Sequence, residues 1–342
     1  MRAAIFREHG GIDKLEIADI PQPTPKAGEV VVRVRAAAMN HLDLWVRRGL
    51  PGVEIPLPHV GGSDIAGEVV ELGAQVSNVE QGARVVVNPG LWCGVCEWCL
   101  KGEHSLCVDY RIIGEHTDGG FAEFVAVPAA NCSSIPENFS FEEAAAVPLV
   151  FLTAWRALIT QANLRAGERV LVLGASGGVA SAAIQIAKLA GARVLAVTSS
   201  AEKAAQAREL GADEIIDRTQ EDFAKQAFKL TNRRGVDVVL ENTGAETWEG
   251  SLRALTRGGR LVTYGGTTGP NGKTNIPLLF WKQIHLIGST MGTAAEFARV
   301  TDLVWQRRLR PVVDRVLPLT EIKAAHEALE AGEQFGKIVL TP

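Results

Sequence analysis

One stretch restricts the fold of this chain more than any other. The apolar run Arg169–Leu173 passes directly into Gly174-Ala175-Ser176-Gly177-Gly178-Val179-Ala180, and a helical pattern follows with Val179, Ala183, Ile186 and Ala190 on one face. A strand, a glycine-rich turn and a helix, in that order, aim backbone N–H groups and a helix N-terminus at one point. That arrangement receives a pyrophosphate. Against the G-x-G-x-x-G/A pattern the frame falls on Ala175, Gly177 and Ala180. Gly177 keeps the close backbone approach, Ala180 is an allowed third position, and Gly174 beside Ala175 supplies the turn. The competing reading is a glycine turn needed only for packing.

Alternation continues downstream. Strands are expected at Arg193–Thr198, Glu214–Ile216, Val236–Glu241 and Arg260–Tyr264, with helices Ala201–Leu210 and Thr247–Leu255 between them. Gly191 and Gly211 fall where left-handed caps end the preceding helices. Strands alternating with helices predict an α/β protein with a Rossmann-type, doubly wound parallel sheet.

A chain of 342 residues exceeds one hydrophobic core, so a second domain is expected. Before Ala144 the pattern is mostly β, with short runs at Val30–Val34, Ile65–Leu72, Val85–Val87 and Phe121–Val127. The prolines of Pro21–Pro25 mark a loop. After the alternating region come helices near Ala294–Arg307 and Glu321–Ala331 and a strand Gly336–Leu340.

The early region carries four of the five cysteines, spaced Cys93-x2-Cys96-x2-Cys99-x7-Cys107. A large chain that can build its own core has little need of a disulfide framework. Thiolates this close, with Gly94 and Gly102 easing the backbone, can close a tetrahedron around zinc with no open coordination position. The prediction is one structural zinc. An iron–sulfur cluster competes, but the fourth cysteine is too distant for the ferredoxin run and no proline follows it. Four reduced thiols without metal are the bland alternative.

A net charge of -4 gives no reason to expect nucleic acid or an acidic membrane surface. No signal peptide is evident at the N-terminus, and no apolar run approaches the roughly 18–20 residues of a membrane span. A cytoplasmic protein acting on a small molecule is expected.

Cofactor preference is read at the end of the second strand of such a sheet, where an acid would hold the ribose hydroxyls of NAD. Here Thr198-Ser199-Ser200 ends the strand, Lys203 follows, and Arg218 ends the third strand. Hydroxyls and two cations favour NADP(H) over NAD(H), although both cations would also suit a solvated surface. Asn242 and Gly244 after one strand, and Gly265 and Gly266 after another, are expected to face the nicotinamide.

With these residues in view the chain resembles the medium-chain dehydrogenase/reductase superfamily of zinc alcohol dehydrogenases and quinone or enoyl reductases. The carriers are the four-cysteine lobe near 92–108, the Gly174–Ala180 turn, Gly61-Gly-Ser-Asp-Ile-Ala-Gly67, Thr153-Ala-Trp155 and Gly336-Lys-Ile-Val-Leu340. The resemblance implies a GroES-like, β-rich catalytic domain formed by residues 1–148 and 286–342, with the Rossmann domain inserted at 149–285. It also implies a homodimer or dimer-based tetramer that pairs edge strands, with Ile276–Ile287 as the edge. His41, Ser289 and Lys337 become cofactor contacts by the same resemblance.

The departures matter more. Family alcohol dehydrogenases hold a catalytic zinc at positions that here look like Asn40, Ser63 (beside Asp64) and Leu149, and their proton-relay hydroxyl becomes Leu42. Without the metal no Lewis acid polarises a carbonyl. His41, His59, His104 and His116 are the histidines from which a zinc site would have to be rebuilt. Asn40 and Thr153 are the polar candidates for catalysis, with loop capping and helix N-capping as their competing roles. Asp43 and Asp64 are expected to hold His41 or an arginine. Trp45, Trp92, Phe151 and Trp281 are candidate pocket walls or core.

The leading expectation is an NADPH-dependent reductase that delivers hydride to an activated alkene (an enone or enoyl thioester) or a quinone. A zinc-containing alcohol dehydrogenase or carbonyl reductase is the alternative. A non-catalytic NADP(H)-binding redox sensor is the third reading.

Overall fold

The computed structural model describes residues 1–342. The chain divides into two compact units, Met1–Leu152 with Gly292–Pro342, and Thr153–Met291.

The first unit is built around strand Glu29–Ala38, whose consecutive Val30, Val31 and Val32 are buried on both faces of the pleat. This strand pairs antiparallel with Asp64–Leu72, with Phe124–Pro128 and with Lys337–Thr341. The full seven-stranded sheet adds Arg84–Val87, Cys132–Ser134 and Val313–Pro318. A smaller sheet joins Glu16–Asp19, Arg2–Phe6 and His59–Val60. Ile5, Val32, Leu44, Ile65, Val85, Phe121, Ile322 and Ile338 fill one core. Gly67 admits this pairing, since a Cβ there would lie 2.1 Å from the Arg33 carbonyl oxygen.

Register places the functional residues. Ala38 faces Asp64 across one strand pair and Val339 across another. Asn40, Asp64 and Lys337 are therefore carried at neighbouring strand ends. The chain then turns into helix His41–Arg48.

The second unit is a six-stranded, all-parallel sheet. Its order is Glu214–Asp217, Arg193–Thr198, Arg169–Val172, Val236–Glu241, Leu255–Thr263 and His285–Gly288. Strand order reverses between Arg169–Val172 and Val236–Glu241, the switch point at which such sheets bind ligands. Leu171, Leu195, Ile216, Val239 and Leu261 centre its core. Helix Gly178–Leu189 follows the glycine turn, and Gly191 adopts φ +80° just beyond it.

Three local expectations change. Strand Phe124–Pro128 begins after Phe121, because Gly120 and Phe121 donate instead to the Gly62 and Gly61 carbonyls. Strand Leu255–Thr263 starts before Arg260, entering through a register shift between Val236 and Val238. The segment Ile276–Ile287 is not one edge strand: Asn275 caps helix Ile276–Lys282, Pro277 sits in its first turn, and only His285–Gly288 joins the sheet.

Candidate active site and metal centre

Four polar residues converge at the strand ends of the first unit. Lys337 and Asp64 are buried, with side chains 3% and 0% exposed, and pair at 2.8 Å. Lys337 Nζ also donates to Asn40 Oδ1 at 2.5 Å. Asn40 Nδ2 donates to Asp64 Oδ2 at 3.0 Å and reaches the Ala38 carbonyl at 3.4 Å. An ammonium can only donate and a carboxylate can only accept, so these partners fix which way the Asn40 amide points. The second oxygen of Asp64 accepts the Leu149 N–H at 2.8 Å. All three positions matched to the family's zinc ligands thus lie in or beside this cluster: Asn40 within it, Leu149 bonded to it, and Ser63 adjoining Asp64. The Ser63 hydroxyl is buried without a partner.

Asp43 completes the group. Its oxygens accept the Asn40 N–H at 2.7 Å and the Gly62 N–H at 3.2 Å. Burial is the main force raising its pKa, to about 7; the Asn40 N–H and the Lys337 charge pull the other way, and Asp64 pushes it further up. Neither aspartate holds His41 or an arginine, contrary to the sequence reading: one anchors a turn and the other meets a lysine. Lys337, expected as a cofactor contact, gives two of its three ammonium hydrogens to Asn40 and Asp64. Asn40 is the N-cap of helix His41–Arg48, where the Asp43 carboxylate returns to its N–H, and its amide also joins this network.

The cysteine lobe is arranged differently. The four sulfur atoms of Cys93, Cys96, Cys99 and Cys107 all lie within 4.8 Å of one another. The Cys93 and Cys99 sulfurs are 3.9 Å apart, close to the ~3.8 Å edge of a tetrahedron with zinc–sulfur bonds of about 2.3 Å. Backbone N–H groups of Cys93 and Cys96 donate to the sulfurs of Cys107 and Cys93, each at 3.3 Å. The residues fit a tetrahedral zinc. Nowhere else do three or more His, Cys, Asp or Glu ligand atoms converge. The histidines considered for a rebuilt site are dispersed. His59 is buried against the Gly114 carbonyl, His104 stacks on Trp92 at 4.4 Å, and His116 Nδ1 accepts the Ile112 N–H.

In the second unit, Gly174 adopts φ +58° and the Ala175 N–H bonds the Val197 carbonyl, which ties the turn to the next strand. Gly177 is the helix N-cap and no side chain caps it. Ser176, Gly177, Gly178 and Val179 are partly exposed around that open helix end, whereas Ala175 is buried. Ser199 and Ser200 are exposed beyond Thr198, and the Ser200 hydroxyl caps helix Ala201–Glu209 by accepting the Lys203 N–H. The Arg218 N–H bonds the Thr198 carbonyl, so Ser199, Ser200, Lys203 and Arg218 gather at two adjacent strand ends. The nearby acid, Asp217, is occupied by the N–H and hydroxyl of Thr219.

Sequence reasoning missed the buried carboxylate behind the Asn242–Gly244 turn. Glu241 accepts the Thr243 and Gly244 N–H groups and the Thr247 and Ser251 hydroxyls. Gly265 and Gly266 flank that turn, with the Thr267 N–H bonded to the Asn242 carbonyl. The hydroxyls of Thr198, Tyr264 and Ser289 are buried without partners at or just beyond the C-terminal ends of three strands. Orphaned hydroxyls on the ligand-binding edge of a parallel sheet are groups that a polar ligand can satisfy.

Other expected residues have varied fates. His41 packs edge-on against Trp45 at 5.1 Å. Burial and then Arg48 lower its pKa. Thr153 lies inside helix Pro148–Trp155 rather than capping it, and its hydroxyl points to the Met291 sulfur at 3.8 Å. Phe151 is core, Trp92 belongs to the cysteine lobe, and Trp281 is 69% exposed on its helix.

Comparison with known proteins agrees with the architecture. Residues 26–137 match the alcohol dehydrogenase GroES-like domain, and residues 178–306 match the zinc-binding dehydrogenase family. An acryloyl-coenzyme A reductase of Metallosphaera sedula is 34% identical over 100% of both chains. A NAD-dependent alcohol dehydrogenase of Sulfolobus acidocaldarius is 33% identical over 99% of both. A solved structure of a NAD-dependent alcohol dehydrogenase superposes with a TM-score of 0.96, at 46% identity over 100% of both chains. The chain belongs to the medium-chain dehydrogenase/reductase superfamily, and it is an oxidoreductase of that type.

Proposed function

We propose that this oxidoreductase uses NADPH to reduce an activated alkene, an enone or enoyl thioester, or a quinone, without a catalytic metal. The observation that carries the reading is the buried Asn40–Asp64–Lys337 network at the positions where the family's alcohol dehydrogenases hold zinc. A lysine already neutralises the acid there, and no third ligand side chain stands at Leu149. The full-length likeness to an acryloyl-coenzyme A reductase supports the same choice.

The bound nicotinamide supplies hydride. Residues Ser176–Val179 would hold its pyrophosphate at the uncapped helix end, while buried Ala175 ties the turn to the next strand. Ser199, Ser200, Lys203 and Arg218 would receive a 2′-phosphate; Asp217 beside them accepts the N–H and hydroxyl of Thr219 on one oxygen. Asn242, Gly265, Gly266 and Ser289 would line the nicotinamide side. Hydride addition to an activated alkene leaves an enolate, which hydrogen-bond donors can stabilise without metal. Asn40 and Thr153 are our candidates for that polar role. Cys93, Cys96, Cys99 and Cys107 would hold one structural zinc. Exposed Ile276, Phe280 and Trp281 beside the open edge strand His285–Gly288 support a homodimer.

NADPH oxidation with crotonyl and cinnamyl carbonyls and a quinone is the test. Turnover of an enone or quinone with NADPH is expected to exceed that with NADH. Alcohol oxidation alone, with two zinc ions per chain, would establish the dehydrogenase reading favoured by the 46%-identical neighbour. Tight NADPH binding without turnover would leave the sensor.

A further inference from the structure

Lys337 is the one cation in the buried Asn40–Asp64–Lys337 network, and its two hydrogen bonds go to Asn40 Oδ1 and Asp64 Oδ2. What it does there follows from donor and acceptor chemistry. Bonding from the ammonium to Asn40 Oδ1 forces the amide to present Nδ2 on the other side. One of the two Nδ2 hydrogens meets Asp64 at 3.0 Å, while the other has only the Ala38 carbonyl at 3.4 Å. The second contact is too long to compete with a good acceptor. Positive charge on the amide oxygen also draws electron density from the nitrogen, which strengthens its N–H groups as donors. Asp64, saturated by Lys337, Asn40 and the Leu149 N–H, keeps the ammonium in place.

Resting on the functional reading above, we propose that Lys337 is a positioning residue for reduction. Together with Asp64 it locks the Asn40 amide with Nδ2 as a polarised donor, and the loosely held N–H is the one offered to the carbonyl oxygen as it becomes an enolate oxygen. In this role the zinc of the metal-dependent relatives is replaced by an internal ammonium acting through an amide. No proton leaves Lys337 in the hydride step: the hydride adds to the β-carbon, the alkene electron pair moves to the carbonyl oxygen, and Asn40 donates a hydrogen bond to it.

The test uses full-length enzyme loaded with zinc, and measures two quantities on each variant. One is kcat and KM for NADPH-dependent enone reduction; the other is NADPH affinity by fluorescence titration, which needs no turnover. K337Q is expected to lower kcat about 100-fold, in the range seen when one oxyanion donor is lost, while the Kd for NADPH changes less than twofold. N40D keeps a partner for Lys337 but removes both N–H donors, and it should lose kcat to the same extent. Because K337Q strands a buried carboxylate and can unfold, D64N/K337Q supplies a neutral network with hydrogen-bonding capacity retained. That double variant should fold and remain slow. Recovery of turnover in D64N/K337Q, or full activity in N40D, would make the cluster a scaffold only and overturn the proposal. A tenfold or larger rise in the NADPH Kd of K337Q would also overturn it and return Lys337 to the nucleotide. Wild-type enzyme that reduces no activated alkene or quinone defeats the functional reading separately, and the nucleotide titration still decides where Lys337 acts.

Discussion

Two clusters in the unit that holds both chain ends make an instructive pair. On the cysteine lobe, four sulfurs stand within 4.8 Å and the backbone donates to them, so the site is complete for a metal and closed to a substrate. At the strand ends, an amide, a carboxylate and a lysine meet instead, and the cation belongs to the protein. Soft thiolates need a soft ion from outside. A single buried carboxylate is satisfied by one ammonium. On the proposed reading, the first centre holds a structural zinc and the second works without a metal.

The comparison breaks most visibly at Asp64. Asp64→Ala leaves the Lys337 ammonium buried and unpaired, and should cost about 3–5 kcal/mol in denaturant unfolding. Cys99→Ser, in contrast, should abolish zinc binding while faster amide exchange stays confined to the lobe around residues 92–108. Similar global destabilisation by both changes would erase the distinction drawn between the two centres.

A pH effect sharpens it. The folded-state pKa of Asp43, about 7, lies above its ordinary value of 3.8 because burial disfavours the anion. Its contribution to stability is therefore complete below about pH 4 and is lost as pH rises through about 7. Each pH unit in that window costs about 1.4 kcal/mol while only the unfolded carboxyl ionises. Asp43→Asn should flatten this part of the stability profile; an unchanged slope would show that Asp43 is ionised in the fold. Least in size is the nucleotide effect. Lys203→Ala and Arg218→Ala should each raise KM for NADPH roughly tenfold, about 1.4 kcal/mol, and leave KM for NADH almost unchanged.

The sequence revealed most where local rules act. The strand–turn–helix at Arg169–Leu189, the parallel alternation after it and the cysteine spacing all follow from periodicity, glycine geometry and ligand count. The pairing of Lys337 with Asp64 was not legible for a physical reason. Lys337 lies 273 residues from Asp64, and only the pairing of strand Lys337–Thr341 with Glu29–Ala38 brings them together. Helix Ile276–Lys282 was hidden by an apolar run that fits either period, and Asn275 with Pro277 was the signal that could have revealed it. Glu241 looked like an ordinary strand terminus, because nothing local announces the two N–H groups and two hydroxyls that converge on it.

Zinc content of the purified, full-length enzyme tests the central claim most directly. The account predicts one zinc per chain, lost in Cys99→Ser and retained in Asn40→Ala and Asp64→Asn. Two zinc ions per chain, with one lost on changing Asn40 or Asp64, would contradict it and restore a catalytic metal to the strand-end centre.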